Sequence, residues 1–167
     1  IRDSSMMDRI LSIVENYPPQ VLRLLMNHIG THDTERAITV LGGEPTGNRG
    51  REWQSTAHLS PEQRQRGLRL LRLAAVLQFT LPGVPCVYYG DEAGMQGFED
   101  PFNRGTYPWG RENAELVQYF QQLGALRKSH EALQSGTIVY HAAQGRALAF
   151  SRRTCLLYTS DAADDKA

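Results

Sequence analysis

Apolar residues recur with a helical period near the start of the chain. Met7, Ile10, Leu11 and Val14 fall at i, i+3, i+4 and i+7, one stripe of a helix. Asp3 or Ser4 is placed to cap it, and Pro18-Pro19 is expected to end it, because a residue before proline avoids the helical region. From Leu22 to Ile29 the run is mostly apolar without clean alternation, which predicts a parallel strand covered on both faces. Residues 42–59 are rich in Gly and polar groups and read as a loop or an irregular excursion. Ser60-Pro61-Glu62-Gln63 then forms a good helix start: Ser caps, Pro takes the first helical position, and Gln63 completes a capping box. That helix ends in Leu73 to Phe79, apolar nearly all round, so its end is expected to be buried. Pro82-Gly83 turns the chain into a short strand, Val84 to Tyr89, followed by a second long loop over 90–112. Asn113 opens a third helix with Leu116, Phe120, Leu123 and Leu126 on one stripe. Ile138 to Tyr140 and Ala147 to Phe150 read as a hairpin about Gln144-Gly145.

Strands alternating with helices argue for a parallel α/β sheet, with ligand sites at the C-terminal ends of the strands. Two such strands need pairing on both sides, so the pattern is expected to be part of something larger. Composition narrows the partners. The 167 residues hold 18 basic and 18 acidic side chains, and neither nucleic acid nor an anionic membrane is expected, since both favour a basic surface. Two cysteines are too few for a disulfide framework, and their spacing matches no metal site. The longest uncharged stretch, Leu73 to Gly90, is broken by Gln78, Thr80 and Pro82-Gly83-Val84-Pro85 and does not read as a membrane span.

The chemistry gathers after the two strands. The first loop runs Gly30-Thr31-His32-Asp33-Thr34-Glu35-Arg36. A His-Asp pair at the top of a parallel strand can offer an imidazole and a carboxylate to one ligand; a carboxylate accepts hydrogen bonds from sugar hydroxyls, and a nearby arginine can pair with it. The bland alternative is that Asp33 or Thr34 caps the next element and His32 is a solvated loop residue. The second loop adds Asp91, Glu92, Glu99, Asp100 and Arg104, with Tyr107 and Trp109. Aromatic faces beside planar hydrogen-bonding groups suit carbohydrate, although an ordinary polar loop accounts for the same residues.

The motifs, taken together and in order, resemble the C-terminal part of the catalytic barrel of glycoside hydrolase family 13, the α-amylase family. The resemblance is strongest to the neopullulanase, cyclomaltodextrinase and α-glycosidase branch. Leu25 to Thr34 (LMNHIGTHDT) resembles the segment at the seventh barrel strand, and Leu77 to Glu92 (LQFTLPGVPCVYYGDE) resembles the approach to the eighth. Asp100-Pro101-Phe102-Asn103-Arg104 with Pro108-Trp109 resembles the loop that follows, and Leu123 to Leu133 resembles the eighth helix.

The resemblance implies a partial (β/α)8 TIM barrel from the sixth to the eighth helix over residues 1–134, then the first hairpin of a C-terminal all-β domain over 135–153. It implies that Asp33 is the essential carboxylate that binds the glucose at subsite −1 and stabilises its oxocarbenium-like state. His32 is implied to bond the same sugar, and Asp100 and Arg104 to hold the glucose at subsite −2. Tyr88, Tyr89, Gly90 and Glu92 are read as supporting geometry, and His28 and Cys86 as packed residues.

Retaining glycoside hydrolysis needs a nucleophile and a general acid flanking the scissile bond. In the family these are an Asp on the fourth strand and a Glu on the fifth, and none of Asp33, Glu92 or Asp100 resembles them. The chain is therefore expected to be a fragment of a retaining α-glucan hydrolase acting on α-1,4 or α-1,6 bonds of maltooligosaccharides, cyclodextrins, pullulan or starch. A barrel takes roughly 250 residues. Alone, the chain is expected neither to turn over substrate nor to fold as a cooperative monomer. A non-catalytic binding or accessory protein on the same barrel, and a small stand-alone α/β binding domain, are the alternatives.

No cofactor or metal is expected; some relatives bind calcium, but no oxygen-ligand cluster here requires it. The implied partner is an α-glucan oligosaccharide, a homodimer is expected of the full-length relative, and the resemblance implies a cytoplasmic location. Residues 154–167, including Cys155-Leu-Leu-Tyr-Thr-Ser-Asp-Ala-Ala-Asp-Asp165, resemble the in-frame translation of a sequencing-library adapter and are expected to be non-native. Without their three Asp and one Lys, 17 basic face 15 acidic side chains.

Overall fold

The computed structural model describes residues 3–144 and 147–154, with side chains described from Met6 onward except at 142–144. The expected Asp3 or Ser4 cap, the Gln144-Gly145 turn and, apart from Thr154, the tail from 154 lie outside the described residues or side chains.

The first helix, α1 (Asp3–Asn16), buries Met7 and half-buries Ile10, Leu11 and Val14, the stripe read from the sequence. Pro19 then begins a short helix, α2 (Pro19–Leu22), as proline is well suited to a first helical position. The run expected as a strand from Leu22 is consequently shorter: β1 is Met26–His28. It pairs in parallel with β2 (Val84–Cys86), Met26 opposite Val84 and His28 opposite Cys86. The expectation of cover on both faces is not met, because Met26 is 62% exposed and Val84 44%. His28, expected to be packed, is exposed as well.

Between the strands lie α3 (Ala37–Gly42), α4 (Arg51–Thr56) and α5 (Pro61–Thr80). The α4 helix falls in the stretch expected to be irregular. It is held by tertiary contacts: Trp53 meets Phe98 edge-on, ring centroids 4.9 Å apart, and Gln54 exchanges hydrogen bonds with Glu99. The α5 capping box forms as expected, with Gln63 N donating to Ser60 Oγ at 3.2 Å and Ser60 N donating to Gln63 Oε1 at 2.9 Å. The apolar end of α5 is only partly buried: Leu71, Ala75 and Gln78 are buried, whereas Leu73 is exposed.

The backbones of α3 and α5 nearly touch. A Cβ on Gly42 would lie 2.8 Å from the Cα of Gly67, so glycine at both positions permits the approach. Ala37, Ile38, Leu71 and Ala75 from these helices join Leu116, Phe120 and Leu123 of α6 (Ala114–Ser129) in the main core. Asn113 caps α6 as expected, its Oδ1 accepting from Leu116 N at 3.0 Å, but Leu126 at the far end of the stripe is exposed.

Gln78 explains how a buried amide aligns the two strands. Its Nε2 donates to the carbonyls of Asn27 at 2.9 Å and Cys86 at 2.8 Å, while Asn27 Nδ2 returns bonds to the carbonyls of Gln78 and Pro82. A short helix α7 (Glu131–Ser135) leads to the antiparallel hairpin of β3 (Thr137–Gln144) and β4 (Ala147–Arg153). Arg152 fastens the hairpin to the end of α5 by donating to the carbonyl of Thr80 at 2.7 Å, beside Arg127, which donates to that of Phe79 at 2.8 Å. Cations at the carbonyl end of a helix oppose its dipole favourably. Among the described residues no helix is long and apolar enough to cross a membrane.

Candidate functional site

Both loops that carry the candidate residues leave from the C-terminal ends of the two parallel strands. After β1, a turn closes between Thr31 and Thr34: Thr34 N donates to the Thr31 carbonyl at 3.4 Å, and Thr31 N to Thr34 Oγ1 at 3.2 Å. His32 and Asp33 stand at its tip, exposed, with His32 Nε2 3.2 Å from Asp33 Oδ1. After β2, a 3-10 turn (Phe102–Arg104) brings Arg104 over the same spot. Its Nε lies 3.1 Å from Asp100 Oδ1, and its Nη2 lies 3.9 Å from Asp33 Oδ1. All four sequence-chosen residues, His32, Asp33, Asp100 and Arg104, therefore form one exposed group in which a guanidinium stands between two carboxylates.

The arginine expected near Asp33 from the sequence of its own loop is Arg36, and it turns the other way. Arg36 is fully buried; its Nη1 donates to the Tyr89 carbonyl and lies 3.5 Å from Asp91 Oδ1. The Tyr88 and Tyr89 rings sit 4.3 and 4.5 Å from its guanidinium carbon, close enough for cation–π attraction. Burial pushes the Asp91 carboxyl up to about 6, against the pull of Arg36 and with Glu92 pushing the same way. A Cβ on Gly30 would lie 2.5 Å from Asp91 Oδ2, so only glycine lets the base of the His32–Asp33 loop pass over that carboxyl. Tyr88, Tyr89 and Asp91 thus pack on Arg36 at the base of this loop; of the residues read as supporting geometry, Gly90 and Glu92 make no hydrogen bond or ion pair with it among the described residues.

No sequence pattern singles out Asn103. It is fully buried, and its Nδ2 donates to the carbonyls of His32 at 2.8 Å and Thr34 at 2.7 Å. A lone asparagine has no spacing signature; its place between Asp100 and Arg104 is the one local signal.

Further out, Tyr89 Oη donates to the Gly105 carbonyl at 2.9 Å, and the Tyr107 and Trp109 rings lie 4.5 Å apart between centroids. Trp109 is 81% exposed. Burial and then the charge of Glu92 raise the Tyr107 phenol above its ordinary value. Among the described residues no three His, Cys, Asp or Glu side chains gather as metal ligands. The arrangement can offer an exposed carboxylate, an imidazole and a carboxylate–guanidinium pair to vicinal hydroxyls.

Comparison with known proteins places the chain in a family. The model of the family described as "Alpha amylase, catalytic domain" matches residues 6–109. An amylopullulanase from Thermoanaerobacter thermohydrosulfuricus is 40% identical over 152 residues, which cover 90% of this chain and 10% of that protein. A cyclomaltodextrinase from Geobacillus thermopakistaniensis is 35% identical over 142 residues, covering 84% of this chain and 20% of the relative. Among solved structures, the debranching enzyme of Nostoc punctiforme superposes with a TM-score of 0.74 at 26% identity, over 93% of this chain and 27% of that one. The chain thus spans between a tenth and a fifth of the length of these two curated relatives.

Proposed function

The chain belongs to the α-amylase family, and from that membership we propose that it supplies the sugar-holding part of an α-glucan hydrolase active site, acting on α-1,4 or α-1,6 glucosidic bonds. The observation that carries the reading is Arg104 standing between Asp33 and Asp100, with His32 beside Asp33, beyond the ends of two parallel strands. Asp33 and His32 hold the glucose whose anomeric carbon reacts. Asp33 accepts from its hydroxyls and gains attraction as positive charge develops on the ring. Asp100 and Arg104 hold the next glucose, the carboxylate accepting from one hydroxyl and the guanidinium donating to a neighbour.

The nucleophile and general acid come from carboxyls on barrel strands other than β1 and β2. The low share of each relative that this chain covers supports that division. The two strands and their helices are, on this reading, the seventh and eighth units of the barrel, and β3 and β4 open a C-terminal β-domain. Hydrolysis proceeds by double displacement with retention.

The test is a hybrid enzyme in which residues 3–153 replace the matching stretch of the Geobacillus cyclomaltodextrinase. The hybrid is expected to hydrolyse maltotriose and β-cyclodextrin, with the α-anomer of the product appearing first by proton NMR. A folded hybrid that hydrolyses neither, or that releases the β-anomer first, overturns the proposal. Binding of maltotriose without any turnover would instead favour an accessory, non-catalytic role.

A further inference from the structure

Asn103 lies at the centre of the 3-10 turn whose flanks carry Asp100 and Arg104. Both hydrogen bonds that its amide donates go to the other loop, to the two peptide carbonyls on either side of Asp33. The side chain is wholly buried, and its Oδ1 accepts no hydrogen bond from the described residues, so its contribution is as a donor. One planar amide holding the carbonyls of residues 32 and 34 fixes the direction in which the intervening Asp33 projects, where a single bond leaves rotation free. Among the described residues, the Asp33 side chain makes exposed contacts to His32 and to Arg104. The turn carrying Asp100 and Arg104 is therefore tied through Asn103 to the backbone on both sides of Asp33.

We propose that Asn103 is a positioning residue that couples the Asp100–Arg104 pair to Asp33, so that a sugar ring seated on the pair sets Asp33 for the reacting ring beside it. The inference rests on the sugar-binding reading above and goes further, because it assigns where the binding energy of the outer ring is expressed. If the turn is rigidly tied to Asp33, that energy serves the transition state and raises kcat; if it is not, the outer ring only tightens binding and lowers KM.

The experiment compares two substrates in the hybrid enzyme. p-Nitrophenyl α-glucoside fills only the reacting position, whereas p-nitrophenyl α-maltoside also reaches Asp100 and Arg104. With Asn103 present, kcat is expected to be higher for the maltoside. Asn103→Asp, nearly the same size, turns an oxygen toward the two carbonyls, and Asn103→Ala removes the donors. Each is expected to lower the maltoside-to-glucoside ratio of kcat about tenfold, the size of losing one or two buried hydrogen bonds in the transition state. Asn103→Ser keeps a single donor and is expected to fall between.

Equal losses on both substrates, as a merely structural role would give, overturn the proposal. So does a ratio of kcat that stays constant while only KM rises. Should Asn103→Ala fail to fold, the Asp and Ser variants decide, with circular dichroism checking each. A folded hybrid with Asn103 intact that turns over neither substrate contradicts the sugar-binding reading itself, whereas an active one whose ratio ignores position 103 overturns the coupling alone.

Discussion

Asp33 is exposed and Arg36, three residues on, is completely buried, and the contrast explains how an open loop keeps its shape. The tip makes polar contacts at the surface, where ion pairs are individually weak. The base is clamped: Arg36 binds Asp91, the Tyr89 carbonyl and two aromatic faces, and Gly30 passes over the Asp91 carboxyl. Replacing Arg36 by Met leaves Asp91 buried without its cation. Stability is expected to fall by roughly 3–5 kcal/mol at neutral pH, read from urea unfolding of the hybrid enzyme. The pH dependence has a definite sign. Asp91 is raised from 3.8 to about 6 in the folded chain, so the folded state binds the extra proton. Its contribution is greatest in acid, declines as pH rises from about 4 to about 6, and is level above that. The Arg36→Met defect should accordingly be smaller at about pH 5 than at about pH 7.5, because the carboxyl is then protonated. An equal defect at both pH values would sink this account of Asp91.

At the scale of elements, what the sequence made legible was what neighbouring residues encode. The Ser60–Gln63 box, the Asn113 cap and the Met7–Val14 stripe each involve groups a turn apart, and each formed where the pattern put it. Ser60→Ala removes the cap and is expected to cost about 1 kcal/mol in a urea titration while leaving turnover unchanged. A loss of turnover there would mean that α5 does more than support the sheet. Elements fixed by distant partners leave no such pattern. The α4 helix has no apolar stripe of its own and depends on Phe98 and Glu99, more than 40 residues away. The strand starts later than the apolar run implies, because α1 stops at Asn16 and Pro19 begins a second helix. Likewise, motif order marks His32, Asp33, Asp100 and Arg104 as candidates, but the grip of Asn103 on residues 32 and 34 spans about 70 positions and has no spacing signature.

For the whole molecule, the two short parallel strands and the core between α3, α5 and α6 bring two loops to one end of the sheet. The family match and the superposition on the Nostoc debranching enzyme agree with that layout. The central claim is that this end holds a glucan through Asp33 and that Asp33 acts on the reacting ring. The most direct measurement is kcat for p-nitrophenyl α-maltoside in the hybrid enzyme and in its Asp33→Asn form, with folding checked by circular dichroism. The near-isosteric change removes the charge without removing the side chain. Losing a group that stabilises developing charge in the transition state is expected to lower kcat by about 10²- to 10³-fold. An Asp33→Asn enzyme that folds and turns over within about twofold of its parent would contradict the claim, because a transition-state contact cannot be lost at so small a cost.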